Sequence, residues 1–246
     1  MAGQSISKSW LIIRRGIRYS YDYLGMVIAA SALWFITGFF PILVVTSFSK
    51  FIQNPAVIGV GIFLTVVTMG PATAAVHGIA ARIVQNEDVR VREFFTFFQK
   101  FFSRSAALVL LNVLILLILA SDLIFTLNSP NKFIQMLSGI WIYFFIFWAL
   151  MSNYIFPFLV NQNIGVFLTM KRSALLALDN LVVTIALSVA VLIVVVLSVI
   201  LAAPVLLLML GIIAFLQNVS YHELMQKYDD APSQGTTVET TTEGEV

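Results

Sequence analysis

Cysteine is absent from the 246-residue chain, which excludes disulfides, thiolate metal sites and a cysteine nucleophile. Histidine is scarce: two His and 12 Asp or Glu leave little for proton chemistry, and no metal or other cofactor is expected. Charged residues make up 11% of the chain, under half of the roughly 25% usual in soluble domains. No Walker loop, HExxH, GxSxG or paired-carboxylate constellation occurs. These absences point away from an enzyme. What is abundant is apolar surface: 60% of residues are hydrophobic, 21 are Phe, and the mean hydropathy is +0.97. The composition predicts an all-α, polytopic transmembrane helical bundle whose main partner is the lipid bilayer.

A helix needs roughly 20 apolar residues to cross the hydrocarbon layer. Residues 1–23 do not qualify, because Arg14, Arg15 and Arg18 interrupt the apolar run. They read as an amphipathic surface helix, not a cleavable signal, with Trp10, Leu11, Ile13 and Ile17 toward lipid. About six spans follow within 24–220, near 24–49, 56–84, 105–127, 133–160, 181–201 and 204–219. Pro41 should kink the first span or mark its outer end, and Lys50–Pro55 and Asn128–Asn131 read as turns. Leu181–Phe215 carries no charge and would be roughly 50 Å long as one helix, so a tight turn is placed at Ala202-Ala203-Pro204. Ile164–Asp179 forms a second interfacial helix, and the acidic, Thr-rich 221–246 reads as a disordered tail.

Basic residues fix the expected orientation. Lys8, Arg14, Arg15, Arg18, Arg82, Arg90, Arg92, Lys100, Arg104, Lys171, Arg172 and Lys227 fall on one side of this topology, against Lys50 and Lys132 on the other. The positive-inside rule therefore puts both termini in the cytoplasm.

Polar groups inside the spans are the candidates for function. Pro71 removes a backbone donor and should bend its helix, leaving the Val67 carbonyl to find a partner such as Thr68. Thr73 follows it, and Gly70, Ala74 and Gly78 make a small-residue face suited to close helix packing. His77 lies toward the inner end of the same span. Asn112, Asn153 and Tyr154 share that depth and could join it in a polar cluster. Asp122, the one acid inside a core span, is costly in lipid and is a site candidate, unless it reaches water or Lys132. It lies about 20 Å from His77 along the membrane normal, so the two cannot form a catalytic dyad.

Val89–Arg104 is strongly amphipathic. Phe94, Phe95, Phe97, Phe98, Phe101 and Phe102 share one side, with Arg92, Lys100 and Arg104 on the other. It reads as a helix lying in the inner interface, and Arg92, Phe94, Phe98, Lys100, Phe101 and Arg104 as a docking surface for a partner. Nucleic acid is not expected there, because Glu87, Asp88 and Glu93 dilute the charge.

Several segments together resemble the YesL-like family of bacterial integral membrane proteins, a domain of unknown function numbered 624. They are GPATAA from Gly70, FFTFFQKFFSRS from Phe94, Asp122, FPFL from Phe156 and KRSALLALDN from Lys171. Here Val44–Val67 makes a longer insertion than the family pattern has, and the acidic tail is not part of that pattern. The resemblance implies a bundle in a bacterial plasma membrane, linked to carbohydrate uptake or utilisation. It implies no catalytic residues. The leading expectation is an accessory or assembly protein for other membrane subunits such as a sugar-transporter permease. A small transporter or channel with a site near Pro71 and Asp122 is the alternative, and an intramembrane enzyme on lipid-linked sugar ranks behind it.

Overall fold

The structure is a computed structural model that describes residues 2–48, 55–201 and 203–229. Among the described residues it contains helices and no strand. In chain order these are α1 (Ala2–Asp22), α2 (Leu24–Phe48), α3 (Pro55–Val84) and α4 (Glu93–Leu127), then the short α5 (Lys132–Met136). They continue with α6 (Ser138–Gln162), α7 (Val166–Asp179), α8 (Leu181–Leu201) and α9 (Ala203–Asp229). Among the described residues, five segments are long and apolar enough to cross a membrane: α2, α3, α4, α5 with α6, and α8. The helix class follows from uninterrupted apolar runs that lack the alternation of strands.

Two boundaries differ from the sequence reading. The phenylalanine-rich segment is not a separate helix: it runs without a break into the third span, and α4 is one helix of 35 residues. No Gly or Pro occurs between Glu93 and Leu127, and Phe94, Phe97 and Phe101 are buried in the protein. Likewise 221–229 belongs to α9, because Tyr221 and Leu224 are buried in the core and extend its apolar stripe past the last span. The rest of the acidic tail, and the turn expected from Lys50 up to Pro55, lie outside the described residues.

Helices α8 and α9 form a hairpin. Only Ala202, itself outside the described residues, separates Leu201 from Ala203. At the far end the Lys227 ammonium donates to Asp179 at 3.2 Å, Tyr228 donates to the same carboxylate, and Asn180 Nδ2 donates to the Tyr228 hydroxyl at 3.2 Å. Hydrogen bonds from Tyr228 and then Lys227 hold the Asp179 carboxyl below its ordinary range.

Close packing of α3 on α4 rests on missing side chains. A Cβ built on Gly70 would lie 2.5 Å from the Ser105 carbonyl oxygen, and one on Gly78 would lie 2.7 Å from the Phe97 ring. Backbone approach of this kind lets dispersion drive association in lipid, where hydrophobicity cannot. One turn on from Gly78, Arg82 lies over the same ring, 5.1 Å from the Phe97 centroid, while its NH1 meets Glu93 at 2.7 Å. The α3–α4 corner is therefore pinned by packing and charge together.

Pro41 and Pro71 lie inside continuous helices, as does Pro157 in α6. Pro41 interrupts the α2 ladder, and α3 repairs it: Ile42 N donates to Thr65 Oγ1 at 3.1 Å, and Thr68 Oγ1 donates to the Gly38 carbonyl at 3.2 Å. Neighbouring hydroxyls are one of the few ways to satisfy backbone freed within lipid. Thr68 is thus engaged with Gly38, Leu64 and Thr65, not with the Val67 carbonyl that Pro71 was expected to free.

Burial is uneven along the bundle. At the end that carries Arg82, Arg104 and Arg172, residues 70–84 of α3, 151–159 of α6 and 210–224 of α9 are largely buried. Toward the opposite end, Ile58–Leu64, Ile140–Ile146 and Val199–Leu201 are mostly exposed apolar side chains. One half is a packed core; the other offers its side chains outward.

Candidate functional site

The polar groups of the packed half form two adjacent hydrogen-bonded sets. In the first, His77 of α3 is 1% exposed, and Asn218 Nδ2 of α9 lies 3.1 Å from its Nδ1. The same amide donates to the Ala214 carbonyl at 2.8 Å, and Asn218 Oδ1 accepts from Asn161 Nδ2 of α6 at 3.2 Å. Those partners fix the orientation of Asn218, so its nitrogen donates to His77, and the neutral ring carries its proton on Nε2. Asn161 Oδ1 accepts in turn from Gln85 at 2.7 Å, which extends the chain to the exposed end of α3. The His77 ring also stacks on Phe156, with centroids 5.3 Å apart.

In the second set, Asn153 of α6 accepts from Gln217 Nε2 of α9 at 3.2 Å and donates to Ser188 Oγ of α8 at 2.8 Å. One turn away, the Tyr154 hydroxyl is 3.0 Å from Thr184 Oγ1 of α8. Gln217 and Asn218 are consecutive, so α9 sends one amide toward each set, about 100° apart around its axis.

The predicted residues therefore do not gather in one place. Asn112 and Asn153 do not join His77. Asn112 accepts from Trp148 Nε1 at 3.1 Å, joining α4 to α6 beside a 250 Å³ apolar groove. Thr73 accepts from Trp34 Nε1 at 2.9 Å, joining α3 to α2. Pro71 is buried against the core with no polar cavity beside it in the three cavities described. Asp122 is half-buried on α4, and among the described residues it makes no ion pair with Lys132.

The docking surface is also corrected. Phe94 and Phe101 are 0% and 1% exposed, so neither can meet a partner, and Phe98 is partly buried against the core. Arg104 is occupied too: its NH1 donates to the Asn163 carbonyl at 2.5 Å and to Asn163 Oδ1 at 2.6 Å, capping the end of α6. Arg92, Lys100, Phe95 and Phe102 remain exposed. Sequence reasoning missed Gln217, Asn218 and Asn161. The signal was there, since two adjacent amides immediately follow the apolar run ending at Leu216.

Neither set offers a nucleophile beside a base, and among the described residues no group of His, Asp and Glu could hold a metal. Their chemistry is that of donors and acceptors matched across helices. The fold and these contacts define a polytopic helical membrane protein whose buried amides pin its helices together. Residues 27–123 match the family described as "Protein of unknown function, DUF624", consistent with membership of that family. No curated protein and no solved structure matches the chain.

Proposed function

We propose that the protein is a non-enzymatic accessory or assembly factor of the bacterial plasma membrane, with both termini and its basic end in the cytoplasm. The observation that carries this reading is the use of the intramembrane polar groups: His77, Asn153, Asn112 and Thr73 each bond across to a neighbouring helix, two of them to α9, and are not turned into a shared cavity. Such contacts are worth roughly 0.6–2 kcal/mol each and suit a rigid scaffold. The transporter alternative would want Pro71 and Asp122 around one cavity, and neither lines any of the three cavities described. The concentration of Lys and Arg at one end supports the orientation. A link to carbohydrate uptake, with a sugar-transporter permease as partner, rests on the YesL-like resemblance.

Affinity purification at native expression in mild detergent is the test. It should retrieve transporter subunits, and Arg92→Glu with Lys100→Glu should reduce their recovery without altering the bundle's elution. Recovery of the protein alone would overturn the proposal.

A further inference from the structure

We propose that the cavity between α1 and the last turns of α9 is a binding site for a phosphate-bearing anion, with Arg18 and Arg15 as its ligands. The cavity measures about 490 Å³, within the usual range for small-molecule sites. It is the most polar of the three cavities described, and three separate segments build it: α1, the turn after α3, and α9.

Its charges are not equivalent. Arg15 is committed to Glu223 of α9, whose backbone carbonyl also accepts from Lys8 at 3.4 Å. That pairing holds the Arg15 guanidinium in place and uses up one carboxylate. Arg18 is different. Its Nε lies 3.6 Å from Asp22 on the same helix, with the two side chains 82% and 52% exposed. A pair this open is worth little, and it leaves the terminal nitrogens of Arg18 available as a two-pronged donor. The lining carries Arg15 and Arg18 against Asp22 and Glu223, so with Arg15 and Glu223 paired it is Arg18 that an anion would engage, with the His222 ring beside it. Asn86, held at φ 61 in the turn after α3, adds an amide to the wall.

Location supports the chemistry. The opposite flank of α1 exposes Ile6, Trp10 and Ile17, a stripe fit for the membrane interface. The cavity thus stands at headgroup level, where a phosphate can come from a phospholipid or from a soluble ester. The inference is independent of the accessory role proposed above.

Full-length protein in phosphatidylcholine nanodiscs would be titrated with inorganic phosphate and followed by phosphorus NMR. In a second arm, nanodiscs doped with phosphatidylglycerol would be analysed by native mass spectrometry for retained lipid. Saturable binding in the first arm identifies a soluble source, and selective retention in the second alone identifies a headgroup. In either arm Arg18→Gln should weaken binding about tenfold or more, the usual loss for a charge-assisted hydrogen bond. Arg14→Gln, also exposed on α1 but outside the cavity, should leave binding unchanged. Absence of binding in both arms, or equal weakening by the two variants, would overturn the site.

Discussion

Gly70→Ala should destabilise the protein, although alanine is the better helix former. At an ordinary helix position the exchange gains up to about 1 kcal/mol from propensity. At Gly70 the added methyl would lie 2.5, 2.7 and 2.9 Å from the Ser105 oxygen, the Ser105 carbonyl carbon and the Ala106 nitrogen. All three are backbone atoms of α4, so no rotamer change relieves them. Reaching an ordinary contact near 3.4 Å requires α3 and α4 to separate locally by roughly 0.9 Å. A radial gap of that size forfeits a quarter to a half of the contact energy of the atoms around it. Overpacking of this sort typically costs about 1–3 kcal/mol, and here it outweighs the propensity gain. Gly59→Ala is the matched control, since nothing lies within 4 Å of its Cβ position. Thermal unfolding in detergent, followed by circular dichroism, should give a lower midpoint for Gly70→Ala and an unchanged or higher one for Gly59→Ala. Equal midpoints would refute the reasoning.

Two further outcomes follow from the polar contacts. Asn218→Leu removes the bonds to His77, Asn161 and the Ala214 carbonyl, and strands the buried imidazole. A loss of about 1–3 kcal/mol in the same assay is expected, while Gln99→Leu, exposed on α4, should be neutral. The clasp at Asp179 gives a pH signature. Because its carboxyl is held below the ordinary value of 3.8, its contribution is complete above that value and is lost as pH falls through the folded pKa. Asp179→Asn should thus lower the midpoint near neutral pH but change it little in strong acid. The effect stays under about 1 kcal/mol, because the pair is half exposed.

Much of the fold is written in local sequence. Apolar runs longer than a bilayer crossing specify α2, α3 and α8, and the Gly70–Gly78 spacing announces a close helix contact that α4 supplies. Partnership is harder to read. His77 bonds a residue 141 positions away, and nothing near either one encodes the distance between them. The phenylalanines of α4 show the related difficulty. Periodicity says that one side is apolar, but lipid and protein are equally good apolar covers, so it cannot say that Phe94 and Phe101 face protein. Gly78 held the clue, because a helix with a vacancy invites a ring to fill it.

The uneven burial has a mechanical consequence. A packed half and an outward-facing half respond differently when the bilayer thickens or thins. Helix ends with few protein neighbours can tilt or splay at a cost of fractions of a kcal/mol per Å of mismatch. The half containing His77, Asn218 and Asn153 cannot do so without breaking hydrogen bonds. Changes in membrane thickness would then be absorbed at the end bearing Ile140–Ile146 and Val199–Leu201. The basic end would keep its shape in membranes of different composition.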